Sequence, residues 1–165
     1  MLTFGGIVAE DLAQNTSQNT SPNMAVSWSG RWVLDTKASV APEGLLGLEQ
    51  RIQQKGSEIN IESKFPEPAS GIVPLMYLGI LTSSLKLNTD GTAVVNQIGP
   101  FMQTSKTTVN GSILETDWKS EVKGEPAEGH WTRTLSEDGK RMTLKVAESS
   151  THGQSGNAEL VFRKK

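Results

Sequence analysis

Apolar and polar side chains alternate with a two-residue period along most of the chain after Ser29. In residues 58–65, for example, Ile59 and Ile61 alternate with charged and amide side chains. This period is typical of a strand with one buried face and one solvent-facing face. The pattern predicts ten strands, at about residues 30–36, 46–55, 58–65, 81–88, 92–98, 102–109, 112–122, 128–135, 140–149 and 157–164.

Tight turns separate these segments. Asn110-Gly111 and Asp138-Gly139 supply the positive φ that short hairpins need. Short consecutive connections favour an up-and-down meander, and closing the meander removes its two exposed edges. We therefore predict an all-β fold, an antiparallel up-and-down meander closed into a barrel of about eight to ten strands. Closure would bring Trp32 on the first strand to Phe162 on the last.

The first 27 residues have a different character. Residues 14–21 repeat Gln-Asn-Thr-Ser twice, and so polar a tract buries too little surface to offset the entropy of ordering it. We predict a flexible polar tail or linker over residues 1–27 and a single barrel domain over residues 28–165. Residues 1–9 lack the basic start and the long apolar run of a secretory signal, so no signal peptide is predicted and the compartment stays open.

Composition excludes several classes of protein. The absence of cysteine excludes disulfides, thiolate nucleophiles, cysteine-ligated zinc and iron–sulfur clusters. A formal charge of −2, from 16 basic and 18 acidic residues, argues against a nucleic-acid partner. No stretch approaches the roughly 18 apolar residues of a membrane span. The sequence therefore predicts a soluble protein, and it leaves the oligomeric state open.

One short motif carries a family resemblance. Gly-Arg-Trp at residues 30–32 opens the first predicted strand, and Val-Phe-Arg at residues 161–163 lies on the last. With the meander between them, these residues resemble the calycin superfamily, the lipocalins and fatty-acid-binding proteins. The resemblance implies a lipocalin-like barrel in which Gly30 and Trp32 plug one end and the basic side chain of Arg163 covers the indole.

Two further strings, residues 32–39 and 136–140, resemble small bacterial lipocalin-like proteins of unassigned function. Three features depart from the superfamily pattern. The chain has no disulfide cysteines, no predicted helix–turn–helix after the first strand and no predicted C-terminal helix.

The sequence offers little catalytic chemistry. It contains no His-Glu-x-x-His or Gly-x-Ser-x-Gly motif, phosphate loop or dinucleotide fingerprint. His130 and His152 make half a metal site at best, although either could hold a haem in some calycin-like barrels. Glu115, Asp117 and Glu121 alternate along one strand face, which is typical of a solvated surface. We predict no catalytic residue, metal or cofactor. The sequence leaves enzymatic activity open and favours its absence.

The most informative polar residue is Arg133. It shares a strand face with Trp131 and Leu135, so it faces inward if they do. A buried arginine is costly unless paired, and an interior guanidinium would bind an acidic head group by two hydrogen bonds. Two alternatives are a structural pair with an internal carboxylate and a bulge that turns Arg133 outward. The predicted ligand-binding residues are Trp118, Trp131, Arg133, Met142, Leu144 and Phe162. The polar positions Gln50, Gln54, Thr116 and Ser120 share the inward parity, which favours a hydrated interior.

Residues 71–81 form the most apolar stretch of the chain, after a proline-rich turn. They are interpreted as a lid or portal lined by Leu75, Met76, Tyr77 and Leu78. The alternatives are a short helix or strand that caps one barrel end as plain core, and an exposed apolar patch that binds a partner.

The leading functional prediction is a non-catalytic barrel that binds a small, mostly apolar ligand in its interior. The alternative is a protein-interaction or inhibitor module whose interior is filled by side chains. The third is an enzyme on a calycin-like scaffold, which would need His130 or Arg133 beside a carboxylate in a pocket.

Overall fold

The computed structural model describes residues 26–40, 45–64, 84–122, 124–150 and 155–165. Over these ranges the chain forms ten β-strands. They are β1 (Gly30–Leu34), β2 (Glu49–Lys55), β3 (Glu58–Lys64), β4 (Leu85–Asn88), β5 (Val94–Ile98), β6 (Phe101–Asn110), β7 (Ile113–Val122), β8 (Glu125–Leu135), β9 (Arg141–Ser150) and β10 (Ser155–Lys164).

The strands form one antiparallel sheet in the order β4-β3-β2-β1-β10-β9-β8-β7-β6-β5. Every neighbour except β1–β10 follows directly in sequence, so the sheet is an up-and-down meander whose first and last strands pair. Leu34 on β1 lies opposite Phe162 on β10, and Trp32 lies opposite Lys164. The predicted all-β meander, with its first strand beside its last, is confirmed.

The two edge strands, β4 and β5, meet through a side chain. The backbone N–H of Lys86 donates to Asn96 Oδ1 at 2.8 Å, and Asn96 Nδ2 donates to the Lys86 carbonyl at 2.9 Å. Farther along, the N–H of Gly91 donates to the Thr107 carbonyl at 3.0 Å. The barrel therefore closes at β4 and β5 without a regular backbone ladder.

Successive side chains of a strand point to opposite faces of the sheet, so the two-residue period of the sequence places apolar side chains inside the barrel and polar ones outside. On β7, for example, Leu114 and Trp118 are buried while Glu115 and Asp117 are exposed. Burying one large apolar side chain stabilises a fold by about 1.5–3 kcal/mol. A slip of one residue in register would turn the apolar face of a strand to solvent and lose this stabilisation at every buried position. The core contains apolar side chains from β1 to β5 and β7 to β10, among them Trp32, Ile52, Ile61, Leu87, Ile98, Leu114, Leu135, Leu144 and Leu160.

Two tryptophans close one end of the barrel, which we call the Trp32 end. Trp28 and Trp32 are both buried, and Trp32 Nε1 donates to the Trp28 carbonyl at 3.1 Å. Gly30 has φ 151°, a conformation that favours glycine, and a Cβ there would push aside the end of the Lys164 side chain.

The cation over the Trp32 indole is Lys164, not Arg163. Lys164 Nζ lies 5.3 Å from the ring centroid, whereas Arg163 Nε donates to Asp35 Oδ2 at 2.6 Å on the outer face. The prediction for Arg163 was wrong because Arg163 has the opposite parity to the inward-facing Phe162. Lys164 shares that inward parity and lies at the rim, where its stem covers the indole while its ammonium reaches water.

The turns at Gly56, Gly111 and Gly139 also lie at the Trp32 end, and the longer connections lie at the opposite end. Residues 1–25, 41–44, 65–83, 123 and 151–154 fall outside the described residues. The predicted portal at Leu75, Met76, Tyr77 and Leu78 is among them. The division between tail and barrel domain at residues 27 and 28 therefore stays a prediction. In the part of the chain that the structure describes, no helix is long and apolar enough to cross a membrane.

Candidate functional site

Arg133 lies inside the barrel and is fully buried. The β8–β9 register runs without a break from Ala127 to Leu135, so no bulge turns Arg133 outward. Its three guanidinium nitrogens have no hydrogen-bond partner in the described ranges, and no internal carboxylate there pairs with it. Burial lowers the pKa of Arg133 to about 10, which leaves it protonated at neutral pH.

The guanidinium of Arg133 contacts an aromatic ring. Its Cζ lies 5.9 Å from the centroid of Trp131, within the range of a cation–π interaction. Leu144 on β9 lies directly opposite Arg133 in the register. These two neighbours of the cation, Trp131 and Leu144, offer the guanidinium no hydrogen-bond acceptor.

A second buried charge-bearing group, Glu148, accompanies Trp131. Trp131 Nε1 donates to Glu148 Oε1 at 2.9 Å, while Glu148 Oε2 has no partner among the residues described. Burial raises the pKa of Glu148 to about 7, and the Trp131 hydrogen bond opposes that rise. Sequence analysis missed Glu148, although its position two residues after the inward Val146 on a predicted strand was a signal that could have found it.

Trp118 completes the group. Its ring centroid lies 5.8 Å from that of Trp131, at an interplanar angle of 43°. Gly129 makes this position possible, because a Cβ at Gly129 would lie 2.5 Å from Trp118 Nε1. Trp118, Trp131, Arg133 and Glu148 therefore form one connected set, which we call the interior cluster.

The interior cluster has a polar group toward each end of the barrel. Glu148 lies opposite Gly129, which is four residues from Arg133 along β8. At about 3.3 Å per residue, this spacing places the two levels about 13 Å apart along the strand. Arg133 lies toward the Trp32 end, and Glu148 lies toward the end with the long connections.

The remaining predicted lining residues, Met142, Leu144 and Phe162, are fully buried in the apolar core. Of the predicted inward polar positions, Gln50 and Thr116 are buried, and Gln54 and Ser120 are partly buried. Thr116 and Thr107 share a hydrogen bond of 2.9 Å between their hydroxyls. Other buried polar side chains, which sequence analysis did not single out, are Asn96, Gln103, Ser105 and Thr107.

The outer face carries a separate pair. His130 Nδ1 lies 2.7 Å from Asp117 Oδ1, and both side chains are largely exposed, so this pair is not part of the interior cluster. Glu115 and Glu121 are exposed as well, on the solvated face that the sequence predicted. His152 lies outside the described residues. Within the described ranges, no group of three or more potential ligands could hold a metal ion.

Known structures share this architecture. Zebrafish ileal bile acid-binding protein in complex with cholic acid matches with a TM-score of 0.52 at 12% sequence identity, over 83% of this chain and 98% of that chain. An abundant heat soluble (SAHS) protein from Ramazzottius varieornatus matches with a TM-score of 0.50 at 12% identity, over 84% of this chain and 95% of that one. The chain has a calycin-like barrel fold.

A third structure, the fatty-acid-binding protein from Manduca sexta, has a TM-score of 0.48 at 15% identity, over 83% of this chain and 99% of that chain. No family model and no curated protein matches the chain. The matches with the zebrafish and Ramazzottius varieornatus proteins confirm the fold implied by the sequence resemblance. The finer resemblance to small bacterial lipocalin-like proteins stays a prediction.

Proposed function

We propose that this protein binds a small, mostly apolar organic acid inside its barrel and that Arg133 pairs with the acid head group. The observation that carries the proposal is a fully buried guanidinium without a hydrogen-bond partner in the described ranges. An isolated buried charge is costly, and a carboxylate that accepts two parallel hydrogen bonds from a guanidinium offsets much of that cost.

The surroundings of Arg133 suit an apolar tail. Leu144 lies opposite Arg133, while Met142 and Phe162 fill the core one pair nearer the Trp32 end. On the other side, the rings of Trp131 and Trp118 extend from Arg133 toward the end with the long connections. A tail lying along these side chains removes its own apolar surface from water. Because Arg133 is fully buried, an acid head reaches it only by displacing the atoms that cover it. We expect such a ligand to enter near the predicted portal at residues 75–78.

The comparison with the zebrafish protein supports the same class of ligand. That protein has this fold and was solved with cholic acid, an organic acid with a largely apolar body. The alternatives, an interaction or inhibitor module and an enzyme, have no observation of comparable weight in the described residues.

The test is a binding titration with oleic acid and with its methyl ester, followed by calorimetry and by tryptophan fluorescence. For the wild type we expect the acid to bind at least about tenfold more tightly than the ester, because only the acid pairs with Arg133. Arg133→Met should remove this preference, while Arg163→Met, a matched change on the outer face, should keep it.

Equal affinity of the wild type for acid and ester would overturn the role of Arg133 without any variant having to fold. A complete lack of binding to either compound would overturn the ligand-binding function and favour the interaction module.

A further inference from the structure

The interior cluster contains a buried donor and a buried acceptor that no described residue satisfies. The donor is Trp118 Nε1 and the acceptor is Glu148 Oε2. The two residues are only 8% and 6% exposed. Unsatisfied buried polar atoms are uncommon and costly, so one of each kind in the same cluster indicates a missing partner.

The register places these two residues at the same level of the barrel. Gly129 lies directly opposite both Trp118 on β7 and Glu148 on β9. Trp118 Nε1 lies 2.5 Å from the point that a Cβ of Gly129 would occupy. The Cβ positions of directly opposed residues are about 4.5–5.5 Å apart, so the indole N–H occupies the inward space at Gly129, next to the strand position of Glu148. Trp131 holds the other carboxyl oxygen of Glu148 in place.

We propose that Glu148 Oε2 and Trp118 Nε1 form a second polar subsite, which binds a hydroxyl group on the ligand whose acid head pairs with Arg133. This proposal rests on the proposed function. A hydroxyl donates one hydrogen bond and accepts two, so it can donate to Glu148 Oε2 and accept from Trp118 Nε1 at once. If Glu148 is protonated on Oε2, the hydroxyl accepts from both groups.

The chemistry of the pair excludes a cationic group at this position. An ammonium has only donors, so it would leave the Trp118 N–H unsatisfied and place a positive charge against it. An ether or a carbonyl accepts from Trp118 but gives nothing to an ionised Glu148. A hydroxyl satisfies both atoms in either protonation state of the carboxyl.

The spacing of the two subsites defines the class of ligand. The backbone levels of Arg133 and Glu148 are about 13 Å apart along β8, and Trp131 lies between their head groups, with its centroid 5.9 Å from Arg133 Cζ and its Nε1 2.9 Å from Glu148 Oε1. An extended fatty acid crosses this span by the middle of a long chain. The ligand class is therefore a long-chain acid with a hydroxyl in mid-chain, of which ricinoleic acid is an example. Oleic acid is its matched counterpart, with the same length and double bond and without the hydroxyl.

The test compares calorimetric dissociation constants for ricinoleic acid and oleic acid. We expect the wild type to bind ricinoleic acid about tenfold more tightly, because the site loses two hydrogen bonds with oleic acid. Glu148→Leu should abolish the preference, and Glu148→Gln, which keeps a polar oxygen and an N–H, should retain most of it. Glu115→Leu, a matched change on the outer face of β7, should leave the ratio unchanged.

Equal wild-type affinity for the two acids would overturn the subsite, and that result needs no variant to fold. So would a preference that survives Glu148→Leu. If oleic acid binds in an Arg133-dependent way while the hydroxyl adds nothing, only the subsite fails. If neither acid binds, the proposed function and the subsite fail together.

Discussion

Lys164 Nζ lies 5.3 Å from the centroid of the Trp32 indole, across the junction where the first and last strands pair. The contact joins residues 132 positions apart in the sequence, so it exists only when β1 and β10 are paired. It therefore offers a local probe of the β1–β10 pairing that does not touch the interior cluster.

Lys164→Met removes the charge and keeps an unbranched stem over Trp32. We expect the free energy of unfolding in urea to fall by about 0.5–1 kcal/mol, the size of a partly exposed cation–π contact, and the near-UV circular dichroism of the tryptophans to change. Arg163→Met removes the ion pair with Asp35, whose side chain is only 9% exposed, so it should cost some stability but leave the tryptophan spectrum unaltered. The assignment of Lys164 fails if the two variants behave in the opposite way.

Gly129→Ala tests the close approach of Trp118. The added methyl would lie 2.5 Å from Trp118 Nε1, so the indole has to shift within a packed interior. We expect a loss of about 1–3 kcal/mol in the free energy of unfolding. In a Trp118→Leu background the same change should cost much less, because the atom that it meets is gone. Additive losses in this double-mutant cycle would contradict the contact.

Glu148 predicts how stability depends on pH. Its pKa is raised to about 7 in the folded protein by burial and is about 4.3 in the unfolded chain, so the folded state binds more protons between these values. Stability should therefore fall as pH rises through this window, by about 3 kcal/mol for the wild type relative to Glu148→Gln.

The measurement for Glu148 is urea unfolding of the wild type and of Glu148→Gln at about pH 4 and about pH 8, the two sides of the window. Subtracting the two proteins removes the contribution of every other titrating group. A constant gap between wild type and Glu148→Gln across the range would show that Glu148 titrates normally.

Asn96 should control the junction between β4 and β5. Asn96→Asp keeps the acceptor for the Lys86 N–H and loses the donor to the Lys86 carbonyl, which should lower the free energy of unfolding by about 1–3 kcal/mol. Hydrogen exchange at nearby amides of β4 should accelerate more than exchange in β8 and β9. Gln97→Glu, the same chemical change on the exposed face of β5, is the control. Uniform exchange across the barrel would argue against a local role.

Alternation in the sequence was sufficient to predict the strands and the inward side of Trp131 and Arg133, because a two-residue period is a local property. The alternation of inward and outward positions along β10 also predicts that Lys164, rather than Arg163, covers Trp32. The prediction for Arg163 failed because a basic residue on the last strand was matched to the family pattern without asking which way its side chain faces. Glu148 was overlooked for a similar reason, since a carboxylate late in a strand is typical of a solvated position.

Other features of the site depend on register between strands, which a single sequence does not reveal. The approach of Trp118 to Gly129 requires β7 and β8 to pair at one offset among several. The Asn96 contact with Lys86 depends on how far the sheet has sheared when it closes. These are long-range relations, and local patterning leaves them open.

The contact between β4 and β5 is the weakest junction between neighbouring strands of the barrel. In the described barrel, nine neighbouring strand pairs are laddered by backbone hydrogen bonds, and the tenth contact, between β4 and β5, depends chiefly on one asparagine amide. Any widening of the barrel, whether to admit a bulky ligand or at the onset of thermal unfolding, should cost the least free energy between β4 and β5, where no regular backbone ladder joins the strands. We therefore expect the barrel to open first between β4 and β5, on the opposite side of the barrel from the β1–β10 junction.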